Sequence, residues 1–339
     1  MTLHRLGVVL TTSVLAVATA PLSLSTAWSA DISPAVVFDM GGKFDKSFNQ
    51  GVYDGVERYK EETGTEYREF EVTNETQREQ AIRRMAQRGA NPILGVGFQQ
   101  AGPMEVVAKE FPDTKFTLID GVVDLPNVQS VVFKEHEGSF LVGVLAALAS
   151  ESDMVGFVGG MDIPLIRRFA CGYEQGAKHA SESVEVVQNM TGTTPSAWND
   201  PGRGSELAKG QFDRGVDVIY AAAGGTGVGV YQAAADGSKL AIGVDSNQNY
   251  LHPGVMLTSM LKRVDVAAYE TFKSVAEDTW EPGIKVLGLA EEGVGWALDE
   301  HNESLITEEM SAAVEEAAAA ITSGEIEVHD YMSDSSCSY

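Results

Sequence analysis

From Ala35 onward, short apolar runs alternate with longer stretches in which apolar and polar residues recur at helical spacing. The runs are AVVFDM, YREFEV, PILGVG, KFTLID, MVGFVGG, VEVVQNM, VDVIYAAA and KLAIGVD. Residues 49–62, 76–88, 140–150, 163–180 and 227–235 have the amphipathic pattern of surface helices. β-rich runs separated by helices predict parallel sheets covered on both faces, an α/β chain. The strands are too many for one compact sheet, so the pattern predicts two doubly wound parallel-sheet domains joined by hinge crossings. Residues 31–125 with about 262–305 are expected to form the first domain, and about 135–258 with 306–330 the second. Residues 331–339 are expected as a polar tail. The segments 121–137 and 245–262 hold Pro, Asn and Gly beside extended runs, and are expected to act as the crossings.

Residues 1–30 depart from this rhythm. Their short polar start, the apolar stretch from Leu6 to Ala18, and small residues around Pro21 predict a secretory signal peptide cut near Ser29 or Ala30. No cysteine lies near that cut, so the expectation is an exported, unanchored periplasmic protein with no direct membrane insertion. The chain has 24 basic and 49 acidic residues, a formal net charge of −25. Such a surface repels nucleic acid and anionic lipid and gives phosphorylated ligands no electrostatic welcome. Cys171 and Cys337 lie too far apart for a zinc motif. An oxidising compartment permits a bridge between them. Yet one sits in a helical pattern and the other in a polar tail, so they are expected to stay unpaired. The histidines show no ligand spacing, and no cofactor or metal is expected.

In doubly wound sheets, ligands bind beyond the carboxyl ends of the strands. Those ends hold Asp39 to Asn49, Gly97 to Gln99 with Phe98, and Asp120 in the first unit. In the second they hold Gly160 to Phe169, Ala223 to Gly227 with Gly225 and Thr226, and Asp245. In GGKFDKSFNQG, Gly41 and Gly42 permit a sharp exit from the strand, and Asp45 or Ser47 can cap the next helix. Asn49 joins a donor and an acceptor on one planar group, which matches the edge of a heterocyclic base. Asp39 can accept from a ring N–H. Phe44 is expected to face the ligand and Phe48 to pack under the helix. Pro164 suits a helix start, and Phe169 can close on the opposite side of a ring from Phe44. At least one of Arg167 and Arg168 is expected on a solvated or acid-paired face. Asp245 and Lys262 form a polar pair suited to hydroxyls, and Trp198 is a weaker candidate for a cleft wall. The run AAAGGTGVGV lacks strict dinucleotide-loop spacing, and neither a phosphate loop nor a nucleophile elbow occurs.

At VVFDMGGKFDKSFNQG, FTLIDG, FVGGMDIPLIRRFACGYEQGAK, GGTGVGV, IGVDSNQ and LTSMLKRVD the chain resembles the basic membrane protein family. These are substrate-binding proteins for ABC transporters of the purine nucleoside receptor A type. The resemblance implies the type I periplasmic-binding fold and a purine nucleoside held between two aromatic rings. It implies ABC permease subunits as partners, no catalysis, and a monomer. Carried over by motif position, Asp39, Phe44, Asn49, Asp120, Phe169, Gly225, Asp245 and Lys262 would contact base and ribose. Many members are lipoproteins, and this chain lacks their cysteine. Three alternatives stay open: a free nucleobase or other small solute as ligand, a sensor module, and a nucleoside hydrolase. The last needs a dense Asp cluster near the N-terminus, where only Asp39 and Asp45 occur.

Overall fold

The computed structural model describes residues 1–2 and 32–337; the predicted signal peptide lies outside these apart from its first two residues. Two six-stranded sheets are present. The first runs β11 (Gly283–Leu287), β5 (Val128–Phe133), β4 (Phe116–Ile119), β3 (Ile93–Val96), β1 (Ala35–Phe38) and β2 (Arg68–Glu71), all parallel. The second repeats that order with β12 (Val294–Trp296), β10 (Met256–Lys262), β9 (Leu240–Asp245), β8 (Val218–Ala222), β6 (Met154–Met161) and β7 (Glu185–Gly192). Only β12 runs antiparallel to its neighbour.

Unbroken apolar runs suit strands buried on both faces. All four residues of β1, β3 and β4 are buried. Successive side chains point to opposite faces. Ala35 and Val37 therefore pack with Ile82 and Met85 of α2 (Arg78–Gln87) and with Met104 and Val107 of α3 (Ala101–Glu110). Val36 and Phe38 pack instead with Val52 and Val56 of α1 (Phe48–Thr63) and Phe272 of α8 (Val264–Ala276). The second sheet is covered in the same way. On one face lie α4 (Glu135–Ala149), α5 (Pro164–Ala180) and α9 (Glu308–Ser323). On the other lie α6 (Pro201–Phe212) and α7 (Gly227–Asp236). Among the described residues no helix is long and apolar enough to cross a membrane.

The chain passes between sheets three times, at positions tighter than the pattern suggested. Segment 121–137 contains β5, so the first passage is at Lys134, between β5 and α4. Segment 245–262 contains β10, so the second is at Arg263. The third lies between β11 and β12, which puts Val294–Trp296 in the second sheet rather than with the first unit. Backbone hydrogen bonds from Lys134 to Leu287 and from Arg263 to Gly293 tie the passages together.

The two cysteines are joined, against expectation. Cys171 and Cys337 form a disulfide with Cα atoms 5.6 Å apart. The tail is a strap rather than a free end. Its short helix α10 (Tyr331–Asp334) docks on α5, with Arg168 paired to Asp330 and Gln175 bonded to both the N–H and the C=O of His329. That docking brings Cys337 over the buried Cys171.

Candidate functional site

A cavity between the two sheets, with about 640 Å³ of empty space including its mouth, lies beyond the carboxyl ends of the strands. Strand order reverses at β1 and at β6, so the crevice sits at both switch points. Among the expected residues, Asp39, Asn49, Phe98, Asp120, Phe169, Trp198, Asp245 and Lys262 line it.

Three expected residues do not. Phe44 is 59% exposed, packs edge-on against Tyr53 at 5.1 Å and lies under the Lys43 ammonium. Gly41, Gly42 and Lys46 take left-handed backbone angles, φ 122°, 93° and 66°, and turn the loop so that Phe44 falls outside. Phe48, first residue of α1, enters the cavity in its place. Gly225 and Thr226 stand behind the wall, where Gly224 is the lining residue. The Thr226 hydroxyl donates to the Ala197 carbonyl at 2.8 Å and accepts the Asp200 N–H at 2.8 Å, which holds the loop bearing Trp198. The Trp198 ring lies so close to Gly160 that a Cβ there would come within 2.1 Å of it.

The polar groups are mostly acceptors with fixed orientations. Asp39 Oδ1 accepts from the Met40 N–H at 2.8 Å and from Arg78 Nε and Nη2 at 3.0 and 2.9 Å. Burial raises the Asp39 pKa, with Arg78 opposing. Asp45, read from sequence only as a cap, takes the backbone N–H groups of Ser47, Asn49 and Gln50 and also lines the cavity. Asp120 and Asp245 end β4 and β9 in matching left-handed conformations, φ 66° and 65°. Asp and Asn visit that region more readily than most residues.

Lys262 closes the floor. Its ammonium lies 2.6 Å from Asp120 Oδ2 and 2.9 Å from Glu135 Oε1. It also stands 5.2, 5.1 and 5.6 Å from the ring centres of Phe48, Phe133 and Phe169. Cations are attracted to such ring faces. Burial pushes the Asp120 carboxyl up to about 6, with Lys262 opposing, and burial does the same to Asp245. Burial alone would raise Glu135 too, but Lys262 and Arg168 together hold it below its usual range. Burial works against the Lys262 charge, yet Asp120, Glu135 and Asp245 keep the ammonium protonated well above its ordinary range. Arg168 bridges Glu135 at 2.9 Å and Asp330 at 2.6 Å. Arg167 pairs with Asp162.

Direct bonds join the two sides at one end of the cavity. Ser47 Oγ donates to Asp245 Oδ2 at 2.5 Å, Ser246 Oγ to the Ser47 carbonyl at 3.0 Å, and Gln248 Nε2 to the Lys46 carbonyl at 2.7 Å. Sequence reasoning missed Phe48 and Asp45 as lining groups and Glu135 as a partner of Lys262. Their signal was weak: Phe48 begins a helix whose N-terminus faces the crevice, and Glu135 opens α4 one residue beyond the end of β5.

The arrangement suits a flat, neutral, donor-bearing molecule. Comparison with known proteins agrees in kind. The family described as ABC transporter substrate-binding protein PnrA-like matches residues 32–331. An uncharacterized lipoprotein of Pyrococcus abyssi is 37% identical over 285 residues, 79% of this chain and 70% of that one. The ABC transporter nucleoside-binding protein BmpA of Lactococcus lactis is 31% identical, covering 88% of this chain and 89% of its own. A crystal structure of an ABC transporter solute-binding protein from Aeropyrum pernix superposes with a TM-score of 0.80 at 32% identity, covering 87% of this chain and 92% of that one.

Proposed function

The chain belongs to the family of PnrA-like ABC transporter substrate-binding proteins, and from that premise we propose that its cavity captures a purine nucleoside for import. The observation that carries this reading is a single crevice with aromatic walls and carboxylate or amide acceptors contributed by both sheets. The base lies between Phe48, from the first side, and Trp198 or Phe169, from the second. Stacking of a base on an aromatic face is worth about 1–3 kcal/mol. Asp39 and Asn49 meet the base edge, while Asp120, Asp245 and Lys262 meet the ribose hydroxyls. The nucleoside-binding relative from Lactococcus lactis supports this ligand class.

The protein works outside the cytoplasm as a monomer, free in the periplasm, and delivers its ligand to permease subunits of an ABC transporter. It is a binding protein and not an enzyme. The acidic residues around the cavity disfavour a phosphate, so nucleosides bind in preference to nucleotides. Calorimetric titration with purine nucleosides, pyrimidine nucleosides, free bases and nucleoside monophosphates tests this. Purine nucleosides are expected to bind most tightly. A free base binding as tightly as its nucleoside would sink the ribose contacts, and a monophosphate matching its nucleoside would sink the electrostatic argument.

A further inference from the structure

The segment after α9 is fastened to one face of α5. Arg168, Cys171 and Gln175 stand at i, i+3 and i+7 of that helix, so they share a stripe along it. Each holds the strap: Cys171 through the disulfide to Cys337, Gln175 through both backbone groups of His329, and Arg168 through Asp330. Asp330 is also the N-cap of α10, where its Oδ1 accepts the Met332 N–H at 2.9 Å. The carboxylate is therefore placed by the strap's own turn, and not by Arg168 alone.

Asp330 in turn decides where Arg168 points. Its two oxygens accept from Nε at 2.7 Å and from Nη2 at 2.6 Å, a paired geometry that fixes the guanidinium plane. Nη1 is left to donate to Glu135 Oε2 at 2.9 Å and to the Phe133 carbonyl at 2.8 Å. Glu135 is fully buried, and its other oxygen lies 2.9 Å from the Lys262 ammonium. Lys262 is thus shared between Glu135 and Asp120, and its balance depends on how well Arg168 satisfies Glu135. A carboxylate shielded from water that loses one cation draws harder on the other.

We infer that Asp330 is a positioning residue for the ligand cavity: from a strap locked by Cys171 and Cys337 it aims Arg168 at Glu135, and so keeps the Lys262 ammonium available to the sugar of a bound nucleoside. This deepens the reading of the cavity as a nucleoside site with Lys262 at the ribose, and rests on it. It gives the disulfide a part in binding as well as in stability. Without Asp330, Arg168 keeps only the contacts of Nη1, and its other donors turn toward water. Glu135 then pulls Lys262 away from the crevice. The base contacts at Asp39 and Phe48 belong to the first sheet and its helix, and are untouched.

The test is calorimetric titration of inosine and adenosine, with their free bases hypoxanthine and adenine, into the native protein and three variants. These are Asp330→Asn, Cys171→Ser with Cys337→Ser, and all three substitutions together. Asn at position 330 keeps the cap of α10 but turns the acceptor that meets Arg168 Nη2 into a donor. In Asp330→Asn, nucleoside affinity is expected to fall about three- to thirty-fold, with base affinity within about two-fold of native. The disulfide-free variant is expected to show the same selective loss in smaller measure. It should add nothing once Asp330→Asn is present, because both act through one line of contacts. Should the disulfide-free variant fail to fold, Asp330→Asn decides alone. The readout is the ratio of nucleoside to base affinity, because a purely structural role would weaken both ligands together. A native ratio in folded Asp330→Asn would overturn the inference while leaving nucleoside binding intact. So would losses that simply add when the disulfide is removed as well. Equal binding of nucleoside and base to the native protein would remove the ribose contact, and this inference with it. Flat titrations with every nucleoside and base would overturn the nucleoside reading itself.

Discussion

Two buried carboxylates at the carboxyl ends of one sheet, Asp39 and Asp120, are each held by a buried cation, yet the two pairs are built differently. Arg78 reaches Asp39 from α2, within the same half of the molecule, and spends its fork on Asp39 Oδ1 and on Gln99 at 2.5 Å. Nothing in that pair depends on how the two sheets are arranged. Lys262 reaches Asp120 from the last residue of β10, across the crevice, and shares its charge with Glu135 at the start of α4. Both contacts lie beside the points where the chain passes between sheets. Lys262 is also backed by Arg168, Asp330 and the disulfide-fastened strap. The first pair presets an acceptor, whereas the second links an acceptor to the hinge. A planar guanidinium suits the fixed pair, and a point charge on a flexible stem suits one that must adjust to several carboxylates.

The largest effect should follow from removing the hinge cation. In Lys262→Met, Asp120 and Glu135 stay buried with less compensation, and breaking such a cluster from one side is expected to destabilise by about 3–5 kcal/mol. Urea unfolding measures it; a loss below about 1 kcal/mol would mean that the carboxylates find water by opening the crevice. The outer support comes next. Reducing the disulfide, or Cys171→Ser with Cys337→Ser, should lower stability by about 2–4 kcal/mol, since the bridge closes a loop of 166 residues. Thermal unfolding with and without reductant is the check, and an unchanged midpoint would show that the strap stays docked through Arg168 and Gln175 alone.

Arg78→Met should act more locally. Asp39 keeps the Met40 N–H and faces the cavity, so the expected loss is about 1.5–3 kcal/mol, the range for a hydrogen bond to a charged group. The small-angle scattering profile should remain as in the native protein for Arg78→Met and change for Lys262→Met. Equal changes in both variants would erase the distinction between the pairs.

The remaining effect is graded with pH. Asp120 and Asp245 have carboxyls raised to about 6, above their unfolded range near 4. Between those values the folded chain binds more protons than the unfolded one, so stability falls as pH rises from about 4 to about 6 and is level above that. The slope is at most about 1.4 kcal/mol per pH unit for each group. The contribution of these two groups to the stability of the ligand-free protein should therefore grow on mild acidification, read as the difference from the Asp120→Asn, Asp245→Asn double variant, and nucleoside affinity should drop below about pH 6 as the acceptors protonate. A difference that stays constant from about pH 4 to 7 would contradict the burial of both groups.

Periodicity and strand-end chemistry made much of this legible in advance. Strands buried on both faces are almost wholly apolar, which marks β1, β3 and β4 in the sequence, with Thr117 the one polar residue among them and its hydroxyl partnered by Trp280. A chain leaving such a strand becomes polar where it meets the crevice, so Asp39, Asp120, Asp245 and Lys262 announce themselves by position alone. Pro164 opens α5 because its missing N–H has no helical partner there in any case.

Tertiary structure decided the remainder. Phe44 and Phe48 lie four residues apart in one motif, and which of them enters the cavity depends on the turn made by Gly41, Gly42 and Lys46. The strand Val294–Trp296 carries no mark of the sheet it will join, because either edge would accept a three-residue strand. The partnership of Arg168 with Asp330 and the bridge from Cys171 to Cys337 join positions more than 160 residues apart. Local sequence determines which strands and helices form and where their polar ends fall, since those follow from neighbours along the chain. Pairing across such distances is set by how packed elements dock, a property of surfaces that exist only once the chain has folded.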